Sequence, residues 1–111
     1  MRKLYRGEVI TLKQSDGKGG LKWRLGIVYK DSKKDDSVVT VYCTTQNDGN
    51  DDLNILVFAD SEEGEDMGLE EDTYIRPTVI KIIPLEYQGR PIGKCSLMAQ
   101  ISKINEDNLA K

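Results

Sequence analysis

The sequence has no histidine and only two cysteines among its 111 residues. A structural zinc site is built from four cysteine or histidine ligands, so the composition argues against one. Cys43 and Cys95 lie far apart in the chain and form no CxxC pair, so neither a ligand pair nor a disulfide framework is indicated. We therefore expect no metal ion and no cofactor.

Long apolar segments are also missing. No run approaches the roughly 20 apolar residues that a membrane-spanning helix needs. The first six residues include two arginines and a lysine, and they lack the apolar core of a signal peptide. The sequence therefore predicts a cytoplasmic protein that does not bind a membrane, and its length fits a single domain over residues 1–111.

The chain has no surplus of positive charge, because 16 Lys and Arg against 19 Asp and Glu give a net charge of −3. This balance argues against broad, non-specific binding of nucleic acid, which depends on an excess of basic residues. Acidic residues concentrate at 48–52 and 60–72. A locally basic groove on an acidic body fits this pattern, because the local field matters more than the total charge.

What the sequence does contain is a series of short β-rich runs separated by polar turns. Apolar, β-branched and aromatic residues predict strands over residues 7–12, 23–29, 38–44, 55–59 and 74–83. Turns are expected at 15–20, 30–37 and 47–54. The short links between the first three strands indicate an antiparallel meander. Pro77 predicts a bulge or an edge position, since proline has no amide hydrogen to donate, and Pro84 ends the strand.

Two further segments complete the predicted fold. Like charges repel one another over residues 60–66, which favours an exposed loop. A C-terminal helix with Ser96 as its N-cap is predicted by apolar residues at helical spacing, namely Leu97, Met98, Ile101 and Ile104. Residues 105–111 are expected to fray. The predicted fold is mainly β, a small barrel of antiparallel strands with a short C-terminal helix.

Three residues near the ends of separate strands are candidates for chemistry: Arg24, Thr44 and Arg76. Guanidinium groups bind phosphate oxygens bidentately, and a hydroxyl can bond another oxygen of the same group. The three residues suit a site that binds and cleaves a phosphodiester. Each also has a purely structural interpretation: Arg24 beside Trp23, Thr44 satisfying a strand end, and Arg76 paired with an acid of the neighbouring loop.

The order of several short motifs resembles that of the PemK/MazF family of bacterial toxin endoribonucleases, which share an SH3-like barrel. The matching segments are residues 6–9 (Arg-Gly-Glu-Val), 23–28 (Trp-Arg-Leu-Gly-Ile-Val), 39–44, 68–75 (Gly-Leu-Glu-Glu-Asp-Thr-Tyr-Ile) and 92–94 (Ile-Gly-Lys). Two positions depart from the family pattern. Leu25 replaces the usual proline, and Thr78 stands where some members have an acid.

The resemblance implies a homodimer that cuts single-stranded RNA without a metal ion, through attack of the 2′-hydroxyl on its own phosphorus. Carried over by position, Arg24, Thr44 and Arg76 are the catalytic residues. RNA-binding candidates are Lys18, Lys22, Tyr42, Thr45, Thr78 and Lys81, with Tyr42 either stacking a base or packing within its strand. The general base is left open among Glu8, another carboxylate and water. A cognate antitoxin is expected to cover the RNA groove and displace the loop at residues 15–20.

Two other function classes remain alternatives. One is a catalytically inactive SH3-like barrel that binds protein or peptide partners, which the acidic charge, Leu25 and Thr78 favour. The other is a small translation-associated barrel that holds RNA without cutting it. This third class fits the fold but fits the net charge of −3 poorly.

Overall fold

The structure is a computed structural model that describes residues 3–15, 17–30, 36–46 and 52–109. Within these residues the chain forms six strands, two α-helices and a 3-10 turn at Leu85–Tyr87. The strands are β1 Glu8–Ser15, β2 Leu21–Lys30, β3 Val38–Thr44, β4 Ile55–Val57, β5 Thr73–Ile83 and β6 Gln88–Lys94. The helices are α1 Glu62–Met67 and α2 Met98–Leu109.

The strands form one curled antiparallel sheet in the order β4-β5-β3-β2-β1-β6. The first three strands are consecutive neighbours, so the predicted meander is confirmed. The mainly β small barrel with a short C-terminal helix is confirmed as well. Much of the turns predicted at 30–37 and 47–54 lies outside the described residues. Neither helix of the described residues is long and apolar enough to cross a bilayer.

The register between β3 and β5 contains the irregularity that Pro77 predicts. Val41 pairs with Ile80, but its neighbour Tyr42 pairs with Arg76, so β5 has extra residues at this point. The Pro77 carbonyl accepts a hydrogen bond of 2.9 Å from Asn105 Nδ2 of α2. The bulge therefore brings Arg76 into register with β3 and gives the C-terminal helix an anchor on the sheet.

Alternating side chains of the sheet form two apolar clusters. The larger cluster includes Val9, Ile27, Val41 and Ile75 and is covered by Ile101 of α2. The smaller cluster, which contains residues such as Ile10, Val28 and Val38, lies on the opposite face of the strands. Its members are Leu4, Ile10, Leu12, Val28, Val38 and Ile83.

The acidic segment does not form the predicted surface loop, because residues Glu62–Met67 form the helix α1. Ser61 caps the helix, and its hydroxyl accepts a hydrogen bond of 3.0 Å from the Gly64 N–H. Acidic residues in the first turn interact favourably with the helix dipole. Gly68 adopts a left-handed φ of 77° and closes the C-terminal end. Capping, dipole and burial of Met67 together outweigh the repulsion between like charges.

Other parts of the chain also differ from expectation. The strand β6 was not predicted, because it contains Gly89, Pro91 and Gly93, which are uncommon in strands. Such residues are tolerated here because β6 lies at the edge of the sheet. The predicted buried strand at 55–59 is shorter, and Phe58 beyond it is 52% exposed. Helix α2 begins one position later than Ser96 capping would require, since the Leu97 carbonyl accepts its first bond, from the Ile101 N–H.

The helix α2 continues to Leu109, through positions where the sequence predicts fraying. Asn105 explains this, because it is buried and its side chain bonds two partners. Its Nδ2 donates to the Pro77 carbonyl, and its Oδ1 accepts from the Tyr29 hydroxyl at 3.4 Å. Residues 110 and 111 lie outside the described part of the chain.

We expect Gly64→Ala to destabilise the protein, although alanine is the better helix former. A Cβ at Gly64 would lie 2.1 Å from the Phe58 carbonyl oxygen and 2.9 Å from the Ala59 Cα, which are backbone atoms that cannot simply rotate away. The expected loss is about 1–3 kcal/mol in the free energy of unfolding, measured by urea denaturation. The control is Glu63→Ala on the exposed face of α1, and an unchanged or raised stability of Gly64→Ala would contradict this packing.

Candidate functional site

The structure places Arg24, Thr44 and Arg76 on three neighbouring strands, β2, β3 and β5. Tyr42 of β3 lies opposite Arg76 in the register. Leu25 lies opposite Cys43, and one further step along both strands brings Arg24 opposite Thr44. Residues directly opposite one another project from the same face, and so do positions i and i+2 of one strand. Arg24, Tyr42, Thr44 and Arg76 therefore share one face, and we call these four residues the arginine cluster.

The spacing within the arginine cluster follows from sheet geometry. Side chains directly opposite each other have Cβ atoms about 5 Å apart, and diagonal neighbours are about 7–8 Å apart. Arg24 and Arg76 flank β3 on either side, so their strands are about 10 Å apart. Two arginine side chains can span that gap and reach a group held above Thr44.

Both arginines of the cluster are half-buried. In the described part of the chain, the Nε atoms of Arg24 and Arg76 are buried and have no hydrogen-bond partner. Gln14 Oε1 is buried in the same way, and its register opposite Lys22 places it on the same face as Arg24. Buried polar atoms are normally satisfied, and leaving one unpaired is costly. Among the described residues, two unpaired donors and one unpaired acceptor therefore lie on one face of the sheet.

Two of the structural interpretations of the arginines are not seen. The cation over the Trp23 ring is Lys13, whose Nζ lies 5.3 Å from the ring centroid, while Arg24 projects from the opposite face of β2. No carboxylate of the described residues forms an ion pair with Arg76 within 4.0 Å. Neither arginine is accounted for by a partner that the sequence suggested.

Thr44 does take the strand-end role that the sequence offers as its structural alternative. It is only 7% exposed, and its Oγ1 accepts a hydrogen bond of 3.3 Å from the Gln46 N–H. Accepting this bond does not use the hydroxyl proton, which no described residue accepts from Thr44. The hydroxyl therefore remains able to donate to an oxygen above the cluster.

The remaining RNA-binding candidates divide into two groups. Lys81 lies next to the arginine cluster, because its Nζ is 4.4 Å from the centroid of the Tyr42 ring. Lys22 is exposed on the same face as Arg24. Lys18 lies in the exposed turn after β1, and Thr78 lies in the β5 bulge. The strand register places neither residue beside Arg24. Thr45 is exposed just beyond the end of β3.

Glu8 lies far from the cluster. It stands at the start of β1, where its Oε1 accepts a hydrogen bond of 2.7 Å from the Tyr5 N–H. Arg24 is opposite Leu12, at a point about 13 Å further along the same strand. Among the candidate general bases that the sequence leaves open, Glu8 therefore lies too far from Arg24 to act beside it.

A cavity of about 560 Å³ borders Arg24 and Thr44. The RNA-binding candidate Thr45 also lines it. Residues that the sequence did not propose for the site complete the lining, among them Thr11, Trp23, Leu25, Glu70, Glu71 and Ile92. They come from β1, β2, β6 and the link between α1 and β5, so no local sequence motif predicts this lining. The two glutamates are the acidic groups of this cavity.

Neither cysteine is suited to act as a nucleophile. Cys43 and Cys95 are both buried and free. Burial raises the pKa of both thiols, and for Cys43 the neighbouring Cys95 raises the pKa further. A thiol with a raised pKa is not a reactive thiolate. The described residues contain no group of three His, Cys, Asp or Glu side chains that could hold a metal ion.

Comparison with models of known protein families and with curated proteins finds no match. The resemblance to PemK/MazF toxins remains a hypothesis that rests on the residues themselves.

Proposed function

We propose that the protein is a PemK/MazF-like toxin, a metal-independent endoribonuclease that cleaves single-stranded RNA at selected sequences. The observation that carries the proposal is the arginine cluster. Two arginines, a tyrosine and a threonine share one face of the sheet, and the two Nε atoms are buried without a partner among the described residues. An RNA phosphate is the kind of anion that would satisfy both arginines at once.

The proposed reaction uses the nucleophile that RNA itself carries. The 2′-hydroxyl attacks the adjacent phosphorus, the bond to the 5′-oxygen breaks, and the products are a 2′,3′-cyclic phosphate and a 5′-hydroxyl end. Arg24 and Arg76 neutralise the charge that develops on the phosphorane, and Thr44 donates to one of its oxygens. The proton of the 2′-hydroxyl passes to water or to a carboxylate other than Glu8, and the leaving 5′-oxygen takes up a proton from water.

Tyr42 and Lys81 extend the proposed site along the RNA. The Lys81 ammonium lies over one face of the Tyr42 ring, as a cation does over an aromatic face. An unpaired base stacks on Tyr42 when Lys81 turns to a neighbouring phosphate. Lys22, on the same face, adds a further phosphate contact at the other side of the cluster.

The proposal includes a homodimer, a cytoplasmic location and a cognate antitoxin. An acidic segment of the antitoxin would compete with RNA for Arg24 and Arg76 and would displace the turn at residues 15–20. That turn carries the exposed Lys18 between Gly17 and Gly19, which both have a left-handed φ. Inhibition then follows from competition for the same charges.

The experiment that tests the proposal is incubation of the purified protein with a mixed-sequence single-stranded RNA in EDTA. We expect cleavage at a few sequences, 2′,3′-cyclic phosphate ends on the products, and no cleavage where the scissile nucleotide is 2′-deoxy. Induction of the gene without an antitoxin should arrest growth. Intact RNA, together with binding of a peptide or protein partner, would instead support the non-catalytic SH3-like module.

A further inference from the structure

We propose that the cavity beside Arg24 binds the base of an unpaired nucleotide and prefers guanine. This inference rests on the proposed function for its place in RNA cleavage, but binding of a nucleotide can be measured without cleavage. The cavity of about 560 Å³ falls within the range of small-molecule sites. It is large enough for a base and part of its ribose.

The apolar part of the cavity suits the face of a base. Trp23 lines it and is nevertheless 55% exposed, although a tryptophan gains stability when its ring is covered. Leu25 and Ile92 extend the apolar surface. An exposed aromatic ring beside aliphatic side chains is the arrangement on which single-stranded bases stack.

The polar part of the cavity selects among the bases. Glu70 and Glu71 both line it, and an ionised carboxylate only accepts hydrogen bonds. Guanine presents two adjacent donors on its Watson–Crick edge, N1–H and the N2 amino group, which one carboxylate can accept together. Adenine and cytosine each present one amino group there, and uracil presents one imino group. The glutamates therefore favour guanine over the other three bases.

A nucleotide explains the cavity better than a cationic peptide side chain does. Acidic and aromatic groups alone would also suit lysine, but Arg24 borders the same cavity and would repel a second cation. A phosphate at the border of the cavity would instead be attracted to the Arg24 guanidinium. The base thus occupies the cavity, and its phosphate lies toward Arg24 at the cavity border.

Trp23 makes the inference directly testable, because it is the one tryptophan of the sequence. Its fluorescence reports on this cavity when the protein is titrated with the 5′-monophosphates of guanosine, adenosine, cytidine and uridine. We expect guanosine monophosphate to quench the emission at concentrations at least about fivefold lower than the other three, as the second charge-assisted hydrogen bond requires. In Glu70→Gln/Glu71→Gln the preference should fall to about twofold or less.

The matched control is Glu62→Gln/Glu63→Gln, which removes the same charge from exposed positions of α1 and should keep the guanine preference. Equal quenching by all four nucleotides, a preference that survives in Glu70→Gln/Glu71→Gln, or quenching by a trimethyl-lysine peptide instead of nucleotides would each overturn the inference. Guanine-selective quenching by a protein that leaves RNA intact supports the inference and contradicts the proposed function. RNA cleavage without guanine-selective quenching supports the proposed function and contradicts the inference.

Discussion

Arg24→Ala is expected to lower kcat for RNA cleavage by about 100-fold to 1,000-fold, the loss typical of removing one preorganised charge donor from a transition state. Arg24 lies one step beyond the Leu25–Cys43 pair, on the same face as Thr44, and its Nε is buried without a partner in the described residues. In the proposed mechanism, its guanidinium is in place before the phosphorane forms. The rate is measured under single-turnover conditions with a defined single-stranded RNA.

Two further variants separate the role of Arg24 from charge alone. Arg24→Lys should recover only part of the activity, because an ammonium group cannot bind phosphate oxygens bidentately. Arg90→Ala removes one positive charge from an exposed position of β6 and should leave kcat within about threefold of wild type. Equal losses in Arg24→Ala and Arg90→Ala would mean that overall charge, and not the cluster, determines the rate.

Arg76→Met is expected to abolish most activity while making the protein more stable. The activity should fall by about 100-fold to 1,000-fold, as for Arg24. Stability should rise by about 1 kcal/mol, because methionine fills a similar volume without the buried Nε that has no partner among the described residues. Urea denaturation measures the free energy of unfolding on the same samples as the RNA assay.

The opposite signs of these two effects are what distinguish a binding site from a structural arginine. Arg6→Met is the comparison, because Arg6 Nη1 donates to the Tyr29 carbonyl at 2.8 Å and its guanidinium stacks on the Tyr29 ring. That substitution should lower stability. If Arg76→Met also lowers stability, the Arg76 side chain is part of the packing and its Nε is satisfied in solution.

The parts of the fold that could be predicted are those in which local chemistry determines local structure. The β-branched run of β3 was predicted with its observed bounds, Val38–Thr44, because such residues favour a pleated strand. Pro77 predicted the bulge because proline lacks the backbone N–H that a regular strand pairing needs. Helix α1 was missed although its signals were present: Ser61 before the first turn and Gly68 just past the last. The density of like charge concealed them.

The candidate site was predictable only in part. Arg24, Thr44 and Arg76 could be named, but their common face depends on the β3–β5 register, which the extra residues of the bulge set. The cavity could not be predicted, because Glu70 and Glu71 lie in an acidic stretch that reads as solvent-exposed surface. They become meaningful only when the fold brings them to the same cavity as Trp23.

The most direct test of the account is a double-mutant cycle on RNA cleavage with Arg24→Met and Arg76→Met. If both guanidinium groups act on one phosphate, the double variant should be little slower than either single variant, since residues that work as a unit are not additive. Losses that multiply to about 10,000-fold or more, as two losses of 100-fold would, or a single variant that cuts RNA as fast as wild type, would contradict a shared phosphate.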